Sequence, residues 1–296
     1  MKISAKEKAM LKRSIVILSS FLFVTTCFTE ENILIPHSAE EYCELAKNLK
    51  NFQDMITEFP DNPSGENVMQ TRVSFKNPAA GFNNGGLCWW HSRFQRKAHY
   101  LAYYLPNAPK PNADEAKHII EDIIDGKKVV EIPGFNNLQE FSTEYKDYLI
   151  KRFEKWQWHD TLTGAWIKGL KGEKLSSEQA AKKLKITMDE LYKKVSDQNQ
   201  ISYQMLQMKG VVAHAWLVTK MTERKNSNNE RIGYTLYTID SNTPLRSTQY
   251  DYTYGQANFK LPYGRKNEFV TFTQNEHELR DIYDAISRYC HLEETH

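Results

Sequence analysis

Asn83-Asn84-Gly85-Gly86-Leu87-Cys88-Trp89-Trp90 is the stretch on which the reading of this chain turns. A pair of glycines delivers a cysteine to the start of a helical pattern. Trp90, Phe94, Ala98, Leu101 and Leu105 recur at three- and four-residue spacing, and Pro106 ends the run. Arg93, Arg96 and Lys97 lie off that apolar stripe. A sulfur in the first turn sits among N–H groups without helical partners, at the positive end of the dipole, and both favour a thiolate. Gly85 and Gly86 allow close approach and leave backbone N–H groups open to an oxyanion. A lone cysteine is more often a small buried hydrophobe. The glycines and the helix start set Cys88 apart as a candidate nucleophile.

Such a thiol needs a base. Val211–Thr219 and Ile232–Asp240 are β-branched and aromatic, separated by a polar turn over 223–230, and read as strands. Alternation puts Val212, His214, Trp216 and Val218 on one face and Ala213, Ala215 and Leu217 on the other. His214 is the expected base for Cys88. His91, one turn after Cys88 on the same helix, and His99 are its competitors, and His91 reads as a surface or packing residue. Asp240 ends the neighbouring strand, where it can orient His214 and stabilise the charged ring; Asn242 is the alternate third member. The Cys88 N–H and Asn84, with Asn83 beside it, are the expected oxyanion donors. His37, His118, His159 and His277 show no zinc-site spacing, and no phosphate-cradling glycine loop occurs, so neither metal nor cofactor is expected.

Around this constellation, helices come first and strands second. Ser38-x-x-Glu41 is a capping-box pattern that predicts a helix to about Ile56. Residues 113–125 read as a helix ended by Gly126, residues 129–132 as a brief strand, and residues 137–170 as mainly helical with Trp156, Trp158 and Trp166. Between 175 and 194, Ser176-x-x-Gln179 and Thr187-x-x-Glu190 predict a helix-turn-helix packed on Ala180, Leu184, Ile186 and Leu191. DNA binding through Lys193 and Lys194 is one reading of it; an inserted helical hairpin is the preferred one. Residues 245–265 are tyrosine-rich and irregular, 268–273 a third strand, and 276–290 a last helix. The expected class is α+β. A helical part covers about 28–210, with an insertion over about 137–200, and a sheet part about 211–296.

Residues 1–27 read as a signal peptide. A basic stretch ending in Lys12-Arg13 leads into the apolar run 15–24, too short to span a bilayer comfortably. Cys27, just past that run, is a candidate for lipid attachment, and through it for membrane anchoring. The expected location is therefore exported: periplasmic, secreted or lipid-anchored. The chain's 39 basic and 37 acidic residues give +2, but without the leader the count is 34 against 36. A mature chain near −2 offers no global electrostatic case for nucleic acid. Cys43 and Cys290 remain, near the two ends of that chain, as a candidate disulfide in an oxidising compartment.

Cys88-Trp89, His214-Ala215 and Asp240-Ser241 resemble, in the same order, the Cys-Trp, His-Ala and Asn-Ser of papain-like cysteine peptidases. The resemblance implies a nucleophile helix packed against an antiparallel sheet that carries the other two groups. It also implies acyl transfer on a protein or peptide substrate. Two features depart from the family. No Gln lies between Gln70 and Cys88 to serve the oxyanion, and no Trp follows Asp240-Ser241. Gly86-Leu87-Cys88-Trp89 and His214-Ala215-Trp216 are similar to the Gly-Gln-Cys-Trp and His-Ala-Trp of the transglutaminase-like branch, where an Asp is the third member. Water as acceptor implies a peptidase or amidase; an amine implies crosslinking or amine transfer. A third expectation is a non-catalytic binding module, with Trp156, Trp158 and the tyrosines lining a groove.

Overall fold

The computed structural model describes residues 35–57, 69–79, 86–162, 177–207, 213–260, 268–272 and 277–292. The leader with Cys27, and Asn83, Asn84, Gly85, Trp166, Ser176 and Val212, lie outside the described residues.

The first helical region is two helices, α1 (Ala39–Ala46) and α2 (Leu49–Ile56), rather than one. Ser38 Oγ accepts the Glu41 N–H at 3.1 Å, but Glu41 reaches back to the N–H of His37 instead of Ser38. The break comes at Asn48, whose extended backbone and side-chain bond to the Lys50 N–H start a new helix.

α3 runs Cys88–Leu101, so the nucleophile candidate is its first residue. It stops short of Pro106, because Ala102–Leu105 extends into β1 and pairs in parallel with β2 (Val130–Pro133). Between these strands lies α4 (Ala113–Asp125), held by a complete Asn112–Glu115 capping box and closed by Gly126 in the left-handed conformation. α5 (Leu138–Glu144) and α6 (Lys146–Leu162) follow. Phe153 and Trp156 of α6 belong to the same core as Phe94 and Leu101 of α3.

The expected helix-turn-helix is one continuous helix, α7 (Ser177–Tyr192), followed by a π-turn over Lys193–Asp197. Thr187 caps nothing; its hydroxyl bonds the Lys183 carbonyl one turn back, as a helix-interior threonine does. Leu184, Met188, Leu191 and Val195 form the buried stripe, and Ile186, expected to pack, is 51% exposed.

The sheet begins before residue 211. β3 (Ser202–Gln207) joins β4 (Ala213–Lys225), β5 (Arg231–Asp240), β6 (Ser247–Thr253), β7 (Phe259–Lys260) and β8 (Glu268–Phe272) in the order β6-β5-β4-β3-β8-β7, with antiparallel pairing. The last helix, α8, spans His277–Cys290. The class is mixed α+β. Ala215, Leu217 and Met205 face the core shared with α3. Trp216, Val218 and Leu206 face the one shared with α7. Strand alternation thus separates two apolar layers on one sheet. Cys43 of α1 and Cys290 of α8 are disulfide-bonded, their Cα atoms 5.3 Å apart. No helix among the described residues is long and apolar enough to cross a membrane.

Candidate active site

The turn into α3 is built by Gly86, whose φ of +85° suits a residue without a side chain. A Cβ there would also stand 2.9 Å from Asn77 Nδ2. The Gly86–Leu87 peptide is held from two directions. Gln157 of α6 donates to the Gly86 carbonyl at 3.2 Å, and the Leu87 N–H donates to Asn77 Oδ1 at 2.6 Å. Leu87 is the N-cap residue and supplies no side-chain cap. Cys88 follows, 6% exposed and the one cysteine among the described residues that is outside a disulfide.

His214 is the second residue of β4, and Asp240 the last of β5. The register pairs Trp216 with Asp240, which sets the carboxylate diagonally beside the ring. His214 Nε2 lies 3.0 and 2.9 Å from the two carboxylate oxygens. Asp240 also accepts the Asn242 N–H at 2.8 Å and is 1% exposed. The Cys88 side chain is hydrogen-bonded to the same ring. Burial alone would push the imidazole pKa down. The bonds to Asp240 and Cys88, with the charge of the Asp240 carboxylate, win and raise it to about 10. The surroundings therefore favour the charged form of the ring, which is flanked by a carboxylate and a sulfur.

The structure thus brings Cys88, His214 and Asp240 together. Asn242 bonds through its side chain to Asn77 at 3.2 Å, not to the ring. His91 is buried and meets the Phe75 carbonyl at 2.8 Å; His99 meets that of Phe52 at 2.6 Å. Burial lowers both rings to about 4, so both are neutral packing groups. Among the described residues no cluster of His, Cys, Asp and Glu could hold a metal ion.

Three contributors were not read from the sequence. Arg93, Arg96 and Lys97 converge on Glu278 at the start of α8, each at 2.9 Å. Burial would raise the Glu278 pKa, but the three cations hold it well below the ordinary carboxylate range. The Arg93 guanidinium also lies 4.3 Å over the Trp156 ring and bonds Asp160, which accepts the Trp90 indole N–H as well. Gln157 and Asn77 are the others. No local signal marks them, because each matters only through partners distant in the chain.

No protein-family model, curated protein or solved structure matches this chain.

Proposed function

We propose that this protein is an exported, thiol-dependent acyl-transfer enzyme of papain-like architecture, acting as a peptidase or amidase. A single observation carries the reading: one buried imidazole meets both oxygens of Asp240 through Nε2 and is also bonded to the helix-terminal Cys88. The Cys43–Cys290 disulfide supports an oxidising compartment, where such bonds persist.

In the proposed mechanism the Cys88 sulfur attacks a peptide or amide carbonyl, and the C=O electron pair moves to oxygen. Collapse of the tetrahedral adduct breaks the C–N bond while His214 delivers its proton to the leaving nitrogen. The neutral ring then takes a proton from water, and hydroxide attacks the thioester. The C–S bond breaks to release the carboxylic acid, which gives its proton to bulk water, as the thiolate–imidazolium pair reforms. Asp240 holds the ring in one orientation throughout and stabilises its charged form.

The test uses casein with and without a fluorescent primary amine. Peptide release that is lost in Cys88→Ala supports hydrolysis, and His214→Ala is expected to lower the rate about 10²–10⁴-fold. Amine incorporation without cleavage instead supports the transglutaminase-like reading, which the carboxylate at the third position favours. Because Asp240 raises the His214 pKa, Asp240→Asn moves the alkaline limb of kcat/KM to lower pH. Activity undiminished in Cys88→Ala overturns the proposal.

A further inference from the structure

The segment leading to Asn77 is strapped along α3 by side chains of the nucleophile helix itself. Gln95 donates to the Thr71 carbonyl at 2.9 Å and accepts the Val73 N–H at 2.6 Å; His91 meets the Phe75 carbonyl. The strap ends at Asn77, which spends three groups on two other parts of the chain. Its backbone N–H donates to the Ser241 carbonyl at 2.6 Å. Its Oδ1 accepts the Leu87 N–H at 2.6 Å, and its Nδ2 donates to Asn242 Oδ1 at 3.2 Å. A backbone N–H can only donate, so Leu87 dictates which way the amide points, and Asn242 then receives the NH₂ end. The N–H of Asn242 continues the path to Asp240 Oδ1 at 2.8 Å. An unbroken line of bonds therefore links the peptide before Cys88 to the carboxylate that holds His214.

We infer that Asn77 is a positioning residue of the thiol site: its carboxamide ties the nucleophile turn to the turn after Asp240, so that sulfur and imidazole keep one separation. This rests on the reading of Cys88 as a nucleophile. The physical need is plain. Apolar contact between α3 and the sheet resists separation but is non-directional, so it defines sliding poorly. A misplacement of about 1 Å between reacting groups costs on the order of 10²-fold in rate. Aspartate would keep the acceptor for Leu87 but turn an oxygen toward the oxygen of Asn242. Asparagine serves both.

The experiment measures alkylation of Cys88 by iodoacetamide across pH, alongside kcat and KM on casein, in the full chain. In Asn77→Ala, alkylation at neutral pH is expected to fall toward that of a free thiol. kcat is expected to drop roughly 100-fold with KM within about twofold. Asn242→Ala leaves the Leu87 bond in place and is expected to lose about five- to tenfold, the worth of one neutral hydrogen bond. The double variant is expected to be no slower than Asn77→Ala, because both remove one link. Wild-type alkylation and kcat in Asn77→Ala with only a lower melting temperature overturns the inference, as do additive losses in the double variant. Should Asn77→Ala not fold, Asn242→Ala decides alone, and a wild-type alkylation profile there overturns it. A wild-type Cys88 no more reactive than a free thiol fails the enzyme reading itself, before any variant is made.

Discussion

α3 and α7 pack on opposite faces of one sheet, and they are built by different rules. α7 buries Leu184, Met188 and Leu191 and exposes Lys182 and Lys183; its main polar anchor is Asp189, which accepts from Lys185, Tyr234 and Tyr254. α3 buries every residue except Arg93, including His91, Ser92, Gln95, Arg96, Lys97 and His99. Buried polar groups are costly unless paired, and those of α3 have specific partners: carbonyls of Thr71, Phe75, Phe52, Ile124 and Ala215, and the carboxylate of Glu278. The difference teaches where precision is invested. An apolar stripe tolerates small shifts, whereas a helix with directional bonds on every side has one position. That helix carries the thiol.

The contrast can be broken most directly at Glu278. Glu278→Gln leaves Arg93, Arg96 and Lys97 facing a neutral amide, and urea unfolding is expected to show a loss of roughly 3–5 kcal/mol. A loss smaller than that of a plain core truncation on the other helix would erase the distinction. That truncation is Met188→Ala, expected to cost about 2–3 kcal/mol by leaving a cavity. Iodoacetamide reactivity of Cys88 should be unchanged in it, since Met188 and Cys88 belong to separate core layers. A loss of reactivity would mean the two faces are coupled.

The smallest effect is in pH dependence, and it sharpens the comparison because α7 holds no histidine. His91 and His99 fold with pKa values near 4, below their ordinary 6.5. As pH falls from about 6.5 toward 4, the unfolded chain takes up protons that the native one refuses, so stability declines on the acid side. His214 has the opposite sign. Its contribution is full below about 6.5 and is lost as pH rises through about 10. His99→Asn is expected to flatten the acid side of a stability–pH profile and leave the alkaline side in place.

Much of this could be read along the chain. Cys88 declared itself by the glycines before it and the apolar stripe after it; His214 and Asp240 lay on strands marked by β-branched and aromatic residues. Other elements misled for identifiable reasons. Thr187-x-x-Glu190 imitates a cap, but no glycine or proline nearby breaks the helix, so the hydroxyl turned inward. Ser202–Gln207 alternates too briefly to stand out, and became a strand because β4 and β8 were beside it to supply hydrogen bonds. Arg93, Arg96 and Lys97 fall off the apolar stripe, and periodicity gave no hint that Glu278 would draw them inside.

Local chemistry, then, was determined by sequence: where the chain turns, which faces are apolar, and which side chains can attack, accept a proton or carry charge. These depend on neighbours within a few positions. Tertiary structure alone decided that Nε2 of His214 serves Asp240 while Asn242 serves Asn77, and that buried cations share one carboxylate. Hydrogen bonds and ion pairs act over a few ångströms, and only folding brings residues so distant along the chain within that range.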